Sequence, residues 1–228
     1  MTMRVAAVQM RSGTDPTANV VAFTELVTEA ADAGARYVQT PEMTGLVQKD
    51  RKALTETVMA QDDDPLLAAA GDLAGTHGIW LHVGSTPIRR PDGKVANRSA
   101  LFAPDGTPAA TYDKIHMFDV DLPNGESWRE SAIYAPGDRL VVTDINGIGL
   151  GLAICYDLRF PNLFADQARA GAAILTVPAA FTRQTGQAHW EPLLRARAIE
   201  TETYVVAPAQ WGPYPGNSGA NHGHSMII

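Results

Sequence analysis

The chain holds a single cysteine, Cys155, in the stretch "GLGLAICYDLRFP" from Gly149 to Pro161. One thiol cannot close an internal disulfide, nor can it supply the paired thiolates of a structural zinc site. Two roles remain. As a small apolar side chain it would fill a core, the commoner fate of a free cysteine. As a nucleophile it would need help, because a thiol with a pKa of about 8.5 is mostly protonated at neutral pH and requires a base or a fixed positive charge beside it. Cys155 falls where an apolar run gives way to a polar turn, which predicts the C-terminal end of a strand ahead of a helix opening near Pro161 or Asn162. Layered α/β sheets build their sites there, and the N–H groups of such a helix would favour a thiolate.

Partners for the thiol can be screened by position. Glu42, in "QTPEMTG", follows the apolar run "RYVQT" and so also falls at a strand end. Partly desolvated there, with a raised pKa, it would serve as general base and later as acid; the plainer alternative is a capping or solvated carboxylate. Lys114, in "TYDKIH", ends a β-rich piece and precedes a long polar segment. A positioned ammonium stabilises an oxyanion, whereas an isolated lysine ordinarily sits at the surface. His116, His189, His222 and His224 offer a rival Cys–His arrangement, and spacing alone excludes none of them. On a strand, His222 and His224 would share a face with Met226, which is no usual zinc ligand, so no metal site is expected.

These residues need a scaffold, and the apolar pattern supplies one. "RVAAVQM" reads as a strand, and Asp15-Pro16 as the cap and first turn of a helix carrying Val20, Phe23, Val27, Ala30 and Ala31 at helical spacing, with Gly34 as its exit. A second helix is predicted over Asp64 to Gly78, then the strand "IWLHVGS" and short β-pieces around the turns "RPDGK" and "APDGT". Phe118 to Asp138 reads as a long irregular segment, a kind that is often functional. Two strands joined near Asn146-Gly147, the helix "NLFADQARAGA", the strand "AILTVPA", a helix over "HWEPLLRARAIETE" and the strand "YVVAPAQ" complete the series. Alternating strands and helices predict an α/β layered domain.

With 228 residues, 45% of them hydrophobic and 19% charged, the chain can build one sizeable core in one domain spanning 1–228. A net charge of -7 without any basic run excludes nucleic acid and anionic membrane as expected partners and leaves small molecules or other proteins. The N-terminal apolar run is too short for a signal peptide and no run approaches the roughly 18 residues of a membrane span, so a cytoplasmic location is expected.

Together, "TPEMTG" around Glu42, "YDKIHMFDVD" around Lys114 and "AICYDLRFP" around Cys155 resemble the three ordered motifs of the nitrilase superfamily of carbon–nitrogen hydrolases. Within it, "ESAIYAPGD", "AAFTRQTGQAHWEPLLRARAIETETYVVAPAQ" and "HGHSMII" resemble the Nit branch of deaminated-glutathione amidases and omega-amidases, over Arg4 to Ile228. The resemblance implies an α-β-β-α sandwich, usually dimerised, with no metal or organic cofactor. It implies Glu42 as base, Cys155 as nucleophile, and Lys114 with the Tyr156 N–H as oxyanion holders, leading through a thioester. It also implies a second glutamate, Glu130, orienting Lys114 and the attacking water. Arg159 would hold a substrate carboxylate or else pair with Asp157, while Phe181 and Thr182 would line the pocket and His189 would orient local structure.

Against the family pattern, Pro192 stands early in a helix where an aliphatic residue is more frequent, and Trp211 to Asn221 lies in a segment that varies within the branch. Family members normally continue past "GHSMII" with a further strand and tail, so a homodimer weakened by a short C-terminus is expected. The predicted activity is hydrolysis of a small carboxylate-bearing amide; the alternatives are a catalytically weak interaction module and a nitrilase acting on C≡N.

Overall fold

The computed structural model describes residues 2–121, 125, 127–214 and 219–228. In chain order the elements are β1 (Val5–Ala7), α1 (Pro16–Asp32), β2 (Tyr37–Gln39), α2 (Arg51–Thr57), α3 (Pro65–His77), β3 (Trp80–Arg89), β4 (Val95–Phe102) and β5 (Pro108–Asp113). There follow β6 (Asp119–Asp121), β7 (Ser127–Arg129), β8 (Val141–Ile145), β9 (Ile148–Leu152), α4 (Pro161–Arg169), β10 (Ile174–Thr176), α5 (Arg183–Thr201), β11 (Tyr204–Ala207), β12 (Trp211–Pro213), β13 (Ala220–His222) and β14 (Met226–Ile227).

The punctuation residues act as their chemistry requires. Asp15 accepts from Thr17 N–H with Pro16 in the first turn of α1, and Asp64 accepts from Leu66 and Leu67 N–H at the start of α3. Asn146 and Gly147, both with positive φ, turn β8 into β9.

Two five-stranded sheets result. One runs β1-β2-β3-β4-β5, its first three strands parallel and the rest antiparallel. The other runs β14-β11-β10-β9-β8, with β9, β10 and β11 parallel and an antiparallel strand on each edge. Strand pleating sends neighbours to opposite faces. Val38 and Ala100 pack with Phe23 and Val27 of α1 and Leu66 and Ala70 of α3, whereas Tyr37 and Leu101 join Leu152, Leu175 and Val205 of the second sheet. Helices α4 and α5 cover that sheet through Phe164, Trp190 and Leu194. The layer order is therefore α-β-β-α. Each fully buried Leu, Val or Phe contributes about 1.5–3 kcal/mol, which carries the few polar groups in the middle layer. Among these, Tyr37 Oη lies 2.7 Å from His82 Nδ1, and burial holds His82 neutral by pushing its pKa down to about 3.

Some expectations change. Helix α5 begins at Arg183, not His189, so Pro192 lies in its middle rather than early; the proline forgoes a helical N–H, and the helix continues to Thr201. Phe118 to Asp138 is not wholly irregular: β6 and β7 pair as a ribbon, with Val120 opposite Trp128, and a 3-10 turn follows at Glu130–Ala132. Three-residue strands are too short to display a period. Residues 122–124 and 126 of that segment, and 215–218 of the variable stretch from Trp211 to Asn221, lie outside the described residues. Helix α2 was unforeseen because its seven residues bury only Leu54. The apolar end of the chain forms β14, paired with β11.

Candidate active site

Three strand ends converge. After β2 the chain turns through Thr40 and Pro41 to Glu42. That turn is pinned to β3: Ser85 N–H donates to Pro41 O at 3.1 Å, Thr44 N–H to Ser85 O at 2.8 Å, and Met43, held at φ 58°, donates to Ser85 Oγ at 3.0 Å. The close approach depends on Gly84, where a Cβ would stand 2.0 Å from Thr40 O and 2.6 Å from Pro41 O. Lys114 follows β5, its N–H donating to Asn97 O at 3.0 Å. Beyond β9, Cys155 opens a 3-10 turn (Cys155–Arg159) with φ 49°, its N–H donating to Pro178 O at 2.9 Å. Left-handed backbone at Met43 and Cys155 costs about 1–3 kcal/mol each and is characteristic of residues held for function.

Asp157 locks the cysteine turn to the lysine strand. Its buried carboxylate accepts from Tyr112 Oη at 2.7 Å, His116 N at 3.1 Å and Ile154 N at 2.9 Å, and lies 2.6 Å from His116 Nδ1.

At the centre, Lys114 Nζ donates to Glu42 Oε1 at 2.9 Å and to Glu130 Oε1 and Oε2 at 3.0 and 2.9 Å. Asn97 Nδ2 bridges the two carboxylates, 2.9 Å from Glu42 Oε1 and 3.3 Å from Glu130 Oε1. Ala180 N–H donates to Glu42 Oε2 at 2.8 Å, and Phe118 N–H to Glu130 Oε2 at 2.7 Å. The Cys155 thiol faces the Glu42 carboxylate. Glu42, Lys114 and Cys155 are 4%, 2% and 8% exposed, so these charges act in a medium far less polarisable than water.

Burial sets the protonation states. It pushes the Cys155 thiol well up, and the facing Glu42 carboxylate adds to this, so the resting sulfur carries its proton. Helix α4 opens at Pro161 as expected, but burial and the facing Glu42 carboxylate keep the sulfur protonated, so the expectation of a helix-stabilised thiolate is corrected. Glu42 is corrected in the other direction. Burial alone would raise its pKa, but the Lys114 ammonium, the facing Cys155 thiol and the hydrogen bond from Ala180 outweigh that and hold it below its ordinary value. For Lys114 burial works against the ammonium, while Glu130 and Glu42 overcome it and raise the pKa well above the ordinary one. A charged base thus faces a neutral thiol, with a fixed cation alongside.

A cavity of about 380 Å³ opens onto the cluster, lined by Glu42, Lys114, Glu130, Tyr134, Trp128 and Lys49 among others. A wider surface hollow of about 730 Å³ contains His222 and His224 and none of the four clustered residues. Among the described residues no group of three or more His, Cys, Asp or Glu side chains could hold a metal ion.

All four predicted catalytic positions meet, and the histidine rivals do not join them. His116 is spent on Asp157 and stacks on Phe160 at 3.6 Å, and His222 stacks on His224 at 4.3 Å. None of the four expected substrate-binding residues is among the residues lining the cavity, and neither is Cys155. Tyr156 packs edge-on against Phe118 at 5.1 Å, and Phe181 packs on Trp190 at 5.0 Å. Thr182 caps α5, accepting from Thr185 N–H at 3.3 Å. Arg159 does not pair with Asp157, whose oxygens are taken; its guanidinium lies 3.3 Å from His189 Nδ1. Asn97, Tyr134 and the Ala180 N–H escaped the sequence reading. Only Asn97 left a trace, as a polar residue inside the apolar strand "VANRSALF".

The carbon-nitrogen hydrolase family model matches residues 4–228. A deaminated glutathione amidase of Yersinia enterocolitica is 39% identical over 227 residues, 98% of this chain and 78% of that protein. The crystal structure of the C. elegans NitFhit protein is similar over 100% of this chain and 56% of its own, with TM-score 0.91 and 34% identity. Saccharomyces cerevisiae Nit3, a member of branch 10 of the nitrilase superfamily, is similar over 99% of this chain and 82% of its own, with TM-score 0.86 and 28% identity. With the family match spanning nearly its whole length, and the fold and motif order in agreement, this chain belongs to the carbon–nitrogen hydrolase family of the nitrilase superfamily.

Proposed function

We propose that this chain is an amidase that cleaves the C–N bond of a small carboxylate-bearing amide, of the deaminated-glutathione or omega-amide type, through a thioester on Cys155. The observation that carries the reading is the buried cluster itself: a neutral thiol facing an ionised Glu42, with the Lys114 ammonium 2.9 Å from that carboxylate.

The chemistry follows from those protonation states. Glu42 takes the thiol proton as sulfur attacks the amide carbon, forming the C–S bond and sending the carbonyl electrons to oxygen. Lys114 Nζ and the Tyr156 N–H receive that oxyanion. Glu42 returns the proton to nitrogen, the C–N bond breaks, and amine or ammonia leaves. Water then gives a proton to Glu42 and attacks the thioester; the C–S bond breaks, the acid leaves and the thiol regains its proton. One water is consumed. In each half-reaction the proton shuttles through Glu42, so no unpaired charge is left buried. Glu130 anchors Lys114 throughout and orients the attacking water.

The substrate class draws its support from relatives bearing the name deaminated glutathione amidase. Ammonia release from an omega-amide of a keto acid, and amine release from deaminated glutathione, test the reading. Turnover by the intact chain that falls to background in Cys155→Ala is expected; no release, or undiminished release from Cys155→Ala, overturns it.

A further inference from the structure

Two separate ribbons contribute to the cavity wall. Trp128 comes from the pair β6 and β7, opposite Val120, and Asn221 from the pair β12 and β13, opposite Gly212. Both residues line the cavity of about 380 Å³, and neither has a part in the chemistry above. Each is held in place. The Trp128 ring packs 6.0 Å from that of Phe118 and meets Tyr214 edge to face at 5.8 Å. The Asn221 backbone is also bridged to Thr182 at the start of α5, and the next residue, His222, donates its N–H to Phe181 O at 2.8 Å.

Each carries a buried polar atom that finds no partner among the described residues: the Nε1–H of Trp128 and the Oδ1 of Asn221, a residue only 6% exposed. An unmatched donor or acceptor is costly to bury, and in a cavity wall it marks a place where a ligand supplies the partner. The two atoms are of opposite kind, one donor and one acceptor. A carboxylate oxygen would accept from Trp128 and be repelled by the Asn221 oxygen, and an alkyl chain would leave both unmatched. A peptide group answers both, because its trans form sets C=O and N–H on opposite edges, one for each ribbon. Both side chains end in broad torsions, so each can turn to meet the arriving group.

Resting on the amidase reading above, we propose that Trp128 and Asn221 form a subsite for a second, uncleaved amide in the leaving amine, whose carbonyl accepts from Trp128 Nε1–H and whose N–H donates to Asn221 Oδ1. The chain then prefers N-substituted amides whose amine continues as a peptide over plain omega-amides. Asn221 closes the variable stretch that starts at Trp211, so part of that stretch sets substrate choice.

Calorimetry on the Cys155→Ala protein tests this without turnover. The probes are glutaryl-alanylglycine and its depsipeptide, in which an ester oxygen replaces the N–H between alanine and glycine, and the readout is the ratio of their affinities. The amide is expected to bind about tenfold more tightly, since the ester loses the donor and sets an oxygen against Asn221 Oδ1. Asn221→Asp, which keeps an acceptor in place, is expected to preserve the ratio, and Asn221→Leu to bring it near one. Trp128→Phe is expected to weaken both probes severalfold and alike, because both keep the carbonyl. As Oδ1 has no donor at rest, Asn221→Leu is expected to unfold at the same or a higher temperature, which separates a ligand role from a structural one. The proposal is overturned if the ratio is near one with both residues in place, if it survives Asn221→Leu or is lost in Asn221→Asp, if Trp128→Phe leaves both affinities unchanged, or if Asn221→Leu unfolds well below its parent. An Asn221-dependent ratio beside an intact chain that releases no amine from glutaryl-alanylglycine would sink the amidase reading and leave the subsite standing. Amine release with an Asn221-independent ratio does the reverse.

Discussion

Lys114 Nζ lies 2.9 Å from Glu42 Oε1, with both side chains almost sealed from solvent. They reach this contact from 72 positions apart, and Glu130 closes on the same ammonium from the other side at 2.9 Å. The pair keeps the base ionised while the thiol beside it stays protonated.

A pH profile follows. Since Glu42 titrates below its ordinary value and Cys155 above its own, kcat/KM is expected to lose its acid limb only below about pH 4.3 and to show no inflection at the free-thiol value of about 8.5. Stability follows the same signs. The Glu42 contribution is present above about pH 4.3 and lost as pH falls through its lower folded value; that of Lys114 is present below about pH 10.4 and lost only above it. Thermal unfolding from pH 3 to 11 checks both. With His82 held neutral and Cys155 held protonated in the fold, stability is also expected to fall below about pH 6.5 and above about pH 8.5. A profile flat from about pH 4.3 to about pH 10.4 would contradict those signs.

Lys114→Met leaves two carboxylates sharing one buried site. Removing one partner of a buried pair costs about 3–5 kcal/mol. One carboxyl then takes up a proton, so the loss should shrink as pH is lowered toward 5. Turnover should drop by roughly 10²–10³ from loss of the oxyanion partner alone. Urea unfolding at two pH values, set beside kcat, measures both effects.

Asn97 is a positioning residue acting through Glu42 and Glu130. Asn97→Ala is expected to cost about 1–3 kcal/mol of stability and to lower kcat roughly tenfold or more with KM little changed. Without the Nδ2–H on its oxygen, Glu42 is held less firmly as the anion, and the acid limb should move up in pH. A merely structural asparagine would leave that limb where it was.

Gly84→Ala would bring a methyl group to within 2.6 Å of two carbonyl oxygens, Thr40 O and Pro41 O, which belong to the turn that carries Glu42. Backbone cannot yield as a side-chain tip can, so a loss of about 3 kcal/mol is expected, at the upper end for overpacking. Activity should fall further than stability explains, which kcat measured well below the unfolding transition would reveal.

Much of this architecture could be read in the residues. Asp15-Pro16, Asp64 with Gly78, and Asn146-Gly147 announce their elements because capping and left-handed turns are local properties. The start of α5 was misread by six residues, since "RQTGQA" has no clear apolar stripe and is interrupted by Gly186, and the helix there is held by Thr182 at its cap and by packing. The ribbon of β6 and β7 was hidden for want of length.

In the site, order along the chain and agreement with family motifs sufficed to nominate Glu42, Lys114, Glu130 and Cys155, because those motifs are contiguous. The sequence also determined the alternation of strands and helices, which follows from period and turn chemistry. Tertiary structure alone decided that His116, His189, His222 and His224 stay away from the thiol, that Asn97 and Ala180 complete the glutamate's hydrogen bonds, and that Glu42 titrates low and Cys155 high. It also set Lys49 against Trp128 and left Arg159 outside the cavity. The reason is range: capping and periodicity act within a few residues, whereas desolvation and charge pairing depend on which groups the two sheets bring together across the whole chain.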